Sequence, residues 1–275
     1  MQSEKRAKLN QCRDCPCIVN GIWSWMTDVA QTASEHEPAL RPLLLDTCLT
    51  RSNLIDSVAA RLSRKLSRLD MPRENMEPLL REVLYADPSI IQQIAMDIMA
   101  IVDRDPACHS PIEPLLFFKG FHAITTYRIA HWLWNNDRHM MALQLQSISS
   151  EIFAVDIHPA AQIGSGILLD HATSFVVGET AIIKDNVSIL HEVTLGGTGK
   201  REGNRHPIVE SGVLIGAGAK ILGRVTIGTC AKIAACSVVL NDVPPHTTVA
   251  GVPAVTVSDS TEPTPALDMN QKLCS

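Results

Sequence analysis

Aromatic side chains are scarce in this chain of 275 residues: Phe, Trp and Tyr together make up 4% of it. Large rings fill much of the volume of most protein cores, so aliphatic side chains must fill this one. The chain also lacks an excess of positive charge, since its formal net charge is −5 and its isoelectric point is about 6.0. That balance argues against broad nucleic-acid binding, which needs a basic face, but allows a small cationic site for an anionic ligand.

Long apolar runs are absent as well. The N-terminus opens Met-Gln-Ser-Glu-Lys-Arg without the apolar core of a signal peptide, and no later run reaches the length of a membrane span. We therefore expect a cytoplasmic protein. Among the eight cysteines, Cys12, Cys15 and Cys17 cluster. Cys12 and Cys15 have the spacing of half a zinc site, but a second pair of ligands is missing nearby. We therefore expect residues 1–20 to be a disordered terminus, and we expect no bound metal.

Between about residues 21 and 155 the apolar side chains recur with the period of an α-helix. The isoleucines from Ile90 to Ile101 form one such stripe. Asp87-Pro88 and Asp105-Pro106 are expected helix starts, with aspartate as the cap and proline in the first turn. Residues 121–134 are expected to form a further helix. The pattern predicts an α-helical domain and by itself assigns no chemistry to it.

From Asp156 onward the period changes to six. Thirteen positions at that spacing are all Ile, Leu or Val, with a two-residue slip after the third and an interruption after the seventh. With about half of all positions apolar, thirteen successes are about a one-in-ten-thousand event. Such hexads are typical of a β-helix whose coil has three sides of six residues each. The positions are Ile157, Ile163, Leu169, Val177, Ile183, Ile189, Leu195, Val209, Ile215, Ile221, Ile227, Ile233 and Val239.

The two periods predict an α+β protein in which helices and strands are segregated. The α-helical domain covers residues 21–155, a left-handed parallel β-helix covers residues 156–257, and a flexible tail covers residues 258–275. One loop, residues 196–208, is extruded from the coil and is polar, glycine-rich and basic. Insertions in a solenoid usually lie on its binding face, so we expect this loop at the site; a tolerated surface loop is the alternative.

Two histidines fall on the same side of the predicted coil. His171 and His191 are each third in their hexad and three hexads apart, so they should stack one rung apart, about 4.8 Å. The same register puts Asp156 one coil below Ser174 and around the corner from His171. A carboxylate there would hold one imidazole nitrogen and leave the other free to accept a proton. His171 is therefore the candidate general base, against the alternative of a surface histidine.

Several segments together resemble one enzyme family. In the β-helix they include Asp156-Ile-His-Pro, Leu169-Asp-His-Ala-Thr, Val177-Gly-Glu-Thr-Ala, Val193-Thr-Leu-Gly-Gly-Thr-Gly-Lys and Arg205-His-Pro, and in the helical half Tyr127-Arg-Ile-Ala-His-Trp-Leu-Trp. With them the chain resembles the serine acetyltransferases of bacteria and plants over most of its length. Hexads alone would indicate only the broader hexapeptide-repeat acyltransferase superfamily, and the helical motifs make the resemblance specific.

The resemblance implies transfer of acetyl from the cosubstrate acetyl-CoA to the hydroxyl of L-serine. The products would be O-acetyl-L-serine and CoA, in the first step of cysteine biosynthesis from serine. His171 would be the general base and Asp156 the carboxylate that orients it. The residues assigned to serine are Asp105, Asp170, Arg205, His206 and the stacked His191; those assigned to CoA are Gly197, Thr198, Ala217, Lys232 and Ala235. Independently of the resemblance, the register stacks Ala217 and Ala235, which are eighteen residues apart.

The resemblance also implies partners. Solenoids of this family form homotrimers or dimers of trimers with sites between neighbouring coils, so Arg205 and His206 would face His171 of a neighbouring copy. L-cysteine, a mimic of serine, would inhibit. Family tails often end in an isoleucine that inserts into O-acetylserine sulfhydrylase; this chain ends at Ser275, so the resemblance does not extend to that contact.

Three alternatives stay open from the sequence alone. One is a zinc carbonic anhydrase of the β-helix type with His171, His191 and His206 as ligands, which would require bound metal. The second is an inactive partner that regulates the sulfhydrylase through its tail. The third is an acetyltransferase with a different acceptor, such as homoserine or a sugar.

Overall fold

The computed structural model of the chain describes residues 17–199, 202–259 and 263–272. The chain divides into two compact units, with the boundary between Phe118 and Lys119. Helices come first and a parallel β-solenoid follows, which confirms the predicted fold of an α-helical domain followed by a β-helix. Among the described residues, no helix combines the length and the hydropathy that a membrane crossing needs.

The first unit consists of helices whose apolar faces form its core. Ile94, Ile98 and Leu80 are fully buried there. A 3₁₀ turn at Pro38–Leu40 and a π-helical turn at Leu45–Leu49 flank the short second helix. The helices are α1 Cys17–His36, α2 Arg41–Leu44, α3 Leu54–Leu66, α4 Arg73–Ala86, α5 Pro88–Arg104 and α6 Ile112–Phe117.

Of the two predicted helix starts in this unit, one is confirmed and one is wrong. Asp87 caps α5, accepting a hydrogen bond from the backbone N–H of Ser89, and Pro88 is the first helical residue. Asp105 instead follows the C-terminus of α5, and its Oδ1 accepts from the N–H of Ala107 in a turn. A second proline, Pro111, follows too closely for a helix to propagate, because proline has no N–H to donate. The next helix begins only at Ile112.

The second unit opens with two helices, α7 Lys119–Asn135 and α8 His139–Phe153, before the strands begin. The first of these confirms the helix predicted over residues 121–134. The Tyr127 hydroxyl of α7 donates to Ala161 O, and Arg128 donates to Gly164 O, so α7 packs on the first coil of the solenoid. A Cβ on Gly120 would lie 2.0 Å from Leu169 O, so only glycine allows this approach.

Three sheets form the sides of the solenoid, which has about five turns. We call β1, β4, β7, β10 and β13 the first sheet, β2, β5, β8 and β11 the second, and β3, β6, β9, β12, β14 and β15 the third. The strands are β1 Val155–Ile157, β2 Gln162–Ile163, β3 Leu168–Leu169, β4 Phe175–Val177, β5 Ile182–Ile183, β6 Ser188–Ile189, β7 Thr194–Gly196, β8 Ile208–Val209, β9 Leu214–Ile215, β10 Lys220–Leu222, β11 Thr226–Ile227, β12 Lys232–Ile233, β13 Val238–Val239, β14 Thr247–Gly251 and β15 Ala254–Asp259.

The thirteen predicted hexad positions fall one in each of β1 to β13, and all are buried. They stack in columns from coil to coil: Ile157 pairs with Val177, and Ile163 pairs with Ile183. Stacked aliphatic side chains therefore fill the interior, which accounts for the low aromatic content. The hexad interpretation is confirmed.

The two-residue slip lies in the corner between β3 and β4. Because the coil there takes twenty residues, Asp156 pairs with Val176, and Ser174 donates its N–H to Ala154 O. The expected alignment of Asp156 with Ser174 was therefore wrong by two residues. That alignment assumed a coil of eighteen residues, whereas the slip adds two residues to the coil between Asp156 and its partner.

The solenoid closes with an antiparallel hairpin of β14 and β15. A short helix, α9 Pro265–Asp268, follows and lies on the third sheet: Ser188 Oγ donates to Ala266 O, and Lys232 Nζ donates to the carbonyls of Asn270 and Lys272. The described part of the predicted flexible tail thus has defined contacts. Ser275, like Cys12 and Cys15, lies outside the described residues.

Candidate active site

The predicted site residues of the second unit concentrate at two different corners of the coil. The corner where the third sheet leads into the first contains His171, His191 and Asp170, and we call it the His171 corner. The corner where the first sheet leads into the second contains Arg205 and His206, and we call it the His206 corner. One chain by itself therefore does not bring the two groups into one site.

The rings of His171 and His191 stack edge to face at the His171 corner, with centroids 5.8 Å apart. This confirms the stacking predicted from the hexad register. The His171 side chain is 72% exposed, and its Nε2 lies 3.6 Å from Asp170 Oδ2. His191 Nδ1 is buried and has no hydrogen-bond partner in the described part of the chain. An exposed imidazole beside a carboxylate is suited to accept a proton from a ligand.

The backbone of the His171 corner is unusual. His171, Ala172 and Ser174 all have positive φ, between 55° and 60°, a region that residues other than glycine adopt at a cost. Hydrogen bonds from Ala172 N to Asp170 O and from Thr173 N to His171 O hold the turn. The slip thus projects His171 out of the coil, as a base that must reach a ligand requires.

Asp156 lies on the first sheet, and Gln146 of α8 donates a hydrogen bond to its Oδ1 at 2.7 Å. The carboxylate that lies against His171 in the same chain is that of Asp170. Burial lowers the pKa of His158, and the negative charges of Glu179 and Asp156 oppose that effect. His158 directly follows β1, so it lies at the corner where the first sheet leads into the second, as Arg205 and His206 do.

At the His206 corner, Arg205 forms an ion pair with Glu179, with Nη2 2.6 Å from Oε2. The hydrogen bond and charge of Arg205 lower the pKa of Glu179. His206 is buried, at 7% exposure, and burial together with the charge of Arg205 lowers its pKa. The guanidinium is thus already oriented by an acid, close to a neutral imidazole.

The residues assigned to CoA are also divided between the corners. Ala217 and Ala235 stack at the His171 corner, where Cys236 donates its N–H to Ala217 O, which confirms their predicted stacking. Gly197 and Thr198 are exposed at the base of the loop. Lys232 on β12 is 6% exposed, and it lines a pocket on the third sheet with Ala235 and Gln271.

The remaining predicted features are Asp105, assigned to serine, and the alternative of a metal site. Asp105 lies in the first unit, half-buried, with its carboxylate engaged by the N–H of Ala107. Within the described residues, no group of three or more His, Cys, Asp or Glu side chains could hold a metal ion. In one chain His206 lies at a different corner from His171 and His191, so the three do not form a ligand set there.

Comparison with known proteins decides among the enzyme families. A profile described as "Serine acetyltransferase, N-terminal" matches residues 22–126, and one described as "Bacterial transferase hexapeptide (six repeats)" matches residues 206–241. The serine acetyltransferase of Escherichia coli K12 is 50% identical over 250 residues, which cover 91% of this chain and 92% of that protein. The chain belongs to the serine acetyltransferase family. It is therefore an acyltransferase.

Solved structures of serine acetyltransferases share this fold along the chain. One, a complex with cysteine, has a TM-score of 0.90 and 50% identity, and the match covers 91% of this chain and 98% of that one. Another, from Brucella abortus in complex with coenzyme A, has a TM-score of 0.85 and 49% identity, covering 87% and 96%. The resemblance stated from the motifs is thus confirmed.

Sequence reasoning missed several residues that shape the candidate site. Gln146 holds Asp156, Glu179 holds Arg205, and Arg224 Nη1 donates to the carbonyls of Thr180 and His206. Glu179 and Thr180 lie in a motif that carried the resemblance, and the hexad register places them one coil below the end of the loop. That register could have found them. Gln146 had no such signal, because its contact depends on how α8 packs on β1.

Proposed function

We propose that this chain transfers acetyl from acetyl-CoA to the hydroxyl of L-serine, giving O-acetyl-L-serine and CoA as the first step of cysteine synthesis from serine. The observation that carries the proposal is the His171 corner: an exposed imidazole, an acid 3.6 Å away and a second histidine stacked on it. Family membership and a relative's complex with coenzyme A support the choice of reaction and of cosubstrate.

The proposed chemistry is general-base catalysis. His171 takes the proton of the serine hydroxyl as that oxygen attacks the thioester carbonyl. The tetrahedral intermediate then collapses, the C–S bond breaks, and the imidazolium returns the proton to the leaving thiolate of CoA. Such base catalysis contributes about 10²–10⁴-fold, and alignment of the two substrates supplies much of the rest.

Asp156 is proposed to orient and charge-stabilise the base. Gln146 limits its rotation by the 2.7 Å hydrogen bond, so its carboxylate is held for a partner. Asp170, the acid beside His171 in its own chain, and Asp105 are proposed to hold the amine and hydroxyl end of serine. The negative charges of these two carboxylates match the positive charge of the serine ammonium group.

The serine carboxylate is proposed to bind at the His206 corner. Arg205 offers a guanidinium fork, which suits two carboxylate oxygens, and Glu179 has already fixed its direction. CoA is proposed to lie along Ala217 and Ala235, with Gly197, Thr198 and Lys232 as further contacts. The small side chains of the stacked alanines leave room for a pantetheine arm.

Because base and carboxylate clamp lie at different corners, we propose that the His171 corner of one copy meets the His206 corner of a second copy in a trimer. The unpartnered, buried Nδ1 of His191 supports this assembly, because such an atom usually has a partner in the complete site. Closed rotational symmetry with three copies would complete three such sites.

The test is release of CoA by the purified protein with acetyl-CoA and L-serine, homoserine or a hexose. We expect release with L-serine, and a loss of about 10²–10⁴-fold in kcat for His171→Ala. His36→Ala, at an exposed helix end in the first unit, is the matched control and should keep the wild-type rate. L-cysteine added to the same assay should compete with serine. Absence of release with all three acceptors would contradict the reaction, and absence of competition would contradict cysteine inhibition.

A further inference from the structure

Thr180 lies at the centre of the His206 corner, where its hydroxyl makes three hydrogen bonds. Its Oγ1 accepts from the backbone N–H of Arg205 at 3.0 Å and from that of His206 at 3.2 Å. The same oxygen lies 2.9 Å from His206 Nδ1. A hydroxyl has one donor and two acceptor sites, so with both acceptor sites taken its hydrogen points to Nδ1.

The backbone N–H of Thr180 donates to the same ring nitrogen, His206 Nδ1, at 3.2 Å. A backbone N–H can only donate, so Nδ1 is an acceptor and carries no proton. In a neutral imidazole the single proton is then on Nε2. Two donors from one residue thus select one tautomer of His206.

We infer that Thr180 is a positioning residue: it holds His206 as a neutral imidazole with its proton on Nε2, and Arg205 beside it, so that both donate to the carboxylate of the amino-acid substrate. This inference rests on the proposed function, from which the carboxylate-binding role of Arg205 and His206 is taken. The contacts of Thr180 are independent of it.

The charges at this corner favour the neutral ring. The charged and titratable groups that face His206 are Arg205, Arg224, Glu179 and His158. Burial, reinforced by Arg205, holds the pKa of His206 below its ordinary value. A cationic ring would add a third positive charge beside two guanidinium groups and would present a proton to two donors of Thr180. A neutral ring avoids this repulsion and still offers one N–H.

The Nε2 edge of the ring faces the backbone of Gly178, which follows β4, and that of Gly197 at the base of the loop. A Cβ on Gly178 would lie 2.0 Å from His206 Nε2, and a Cβ on Gly197 would lie 3.4 Å from it. A Cβ on Gly178 would overlap the ring, so glycine there lets the ring pack against backbone, and neither glycine has a side chain that could compete for the hydrogen bond of Nε2. Arg224 completes the frame by tying the carbonyls of Thr180 and His206 at 3.0 and 3.1 Å.

The experiment compares the wild type, Thr180→Val, Thr180→Ser and the control Thr229→Val, an exposed threonine at another corner. The protein is labelled with ¹⁵N-histidine, and magic-angle-spinning NMR follows the protonation of each ring nitrogen with pH. The signal of His206 is assigned by its loss in His206→Gln. Steady-state kinetics with L-serine and acetyl-CoA are measured on the same preparations.

We expect an unprotonated Nδ1 and a protonated Nε2 at neutral pH in the wild type. In Thr180→Val the pH at which Nδ1 gains a proton should rise by about 0.5 to 1, the effect of one hydrogen bond. The KM for L-serine should rise by about 10-fold with kcat changed much less, because the contacts of Thr180 are to Arg205 and His206, which are assigned to the serine carboxylate, and none is to His171, the proposed base. Thr180→Ser should restore both values, and Thr229→Val should leave them unchanged.

A proton on Nδ1 in the wild type at neutral pH would overturn the inference, and so would a folded Thr180→Val with the wild-type KM and protonation midpoint. If Thr180→Val fails to fold, the wild-type tautomer and Thr180→Ser still decide. Loss of the proposed function would show differently, as no serine-dependent CoA release by the wild type, while the NMR result would still test the tautomer.

Discussion

At the scale of single residues, Gly120 shows how a missing side chain shapes the His171 corner. It lets the first turn of α7 approach Leu169 O, directly before Asp170 and His171, and the neighbouring Lys119 Nζ donates to Thr173 Oγ1 in that corner. We expect Gly120→Ala to lower the free energy of unfolding by about 1–3 kcal/mol through overpacking, and to lower kcat by displacing the corner. Urea unfolding and the CoA-release assay measure both.

The contrasting variant is Gly203→Ala in the extruded loop, where an added Cβ would meet nothing within 4 Å. Gly203 has a φ of 75°, so alanine there should cost only the backbone strain of that region, about 1 kcal/mol. An unchanged free energy of unfolding and an unchanged kcat in Gly120→Ala would show that α7 does not constrain the corner.

At the scale of the element, each of β1 to β13 contributes its hexad side chain to the column at the centre of the solenoid. Adjacent residues of β5 make a matched pair: Ile183 points inward and is 2% exposed, whereas Ile182 is half-buried on the outer side. Ile183→Ala should lower the free energy of unfolding by about 2–5 kcal/mol, because it leaves a cavity in the column with Ile163 and Val209. Ile182→Ala should cost less than about 1 kcal/mol. Equal losses in urea unfolding would contradict this assignment of inward positions.

At the scale of the whole molecule, the division of the site between two corners predicts complementation between subunits. His171→Ala and Arg205→Ala chains should each be nearly inactive alone. Co-expressed as random trimers, they should recover about a quarter of the wild-type activity, because a mixed trimer contains one site with both residues intact. Co-expression of His171→Ala with the double variant His171→Ala/Arg205→Ala is the control and should stay inactive. No recovery in the first mixture would place the whole site within one chain.

Much of this architecture was predictable because the determinants are local and periodic. The thirteen inward positions, the stacking of His171 on His191 and that of Ala217 on Ala235 follow from counting hexads, since each coil repeats the geometry of the last. The predicted alignment of Asp156 with Ser174 was wrong because counting hexads does not show where a slip inserts its two residues. The helix start at Asp105 failed because the same Asp-Pro pair serves a turn when a second proline follows closely.

By itself, the sequence determined the solenoid, its core and the motifs of the family, because hydrophobic period and motif identity are properties of neighbouring residues. Only the tertiary structure decided how the side chains of each corner are held. The contact of Gln146 with Asp156, the pairing of Glu179 with Arg205 and the three hydrogen bonds of the Thr180 hydroxyl join residues 10 to 26 positions apart. Distances and donor directions across coils depend on the register after the slip and on the path of the loop, which no local sequence pattern encodes. The contacts of Thr180 set the tautomer of His206, and the contact with Glu179 sets the direction of the Arg205 guanidinium.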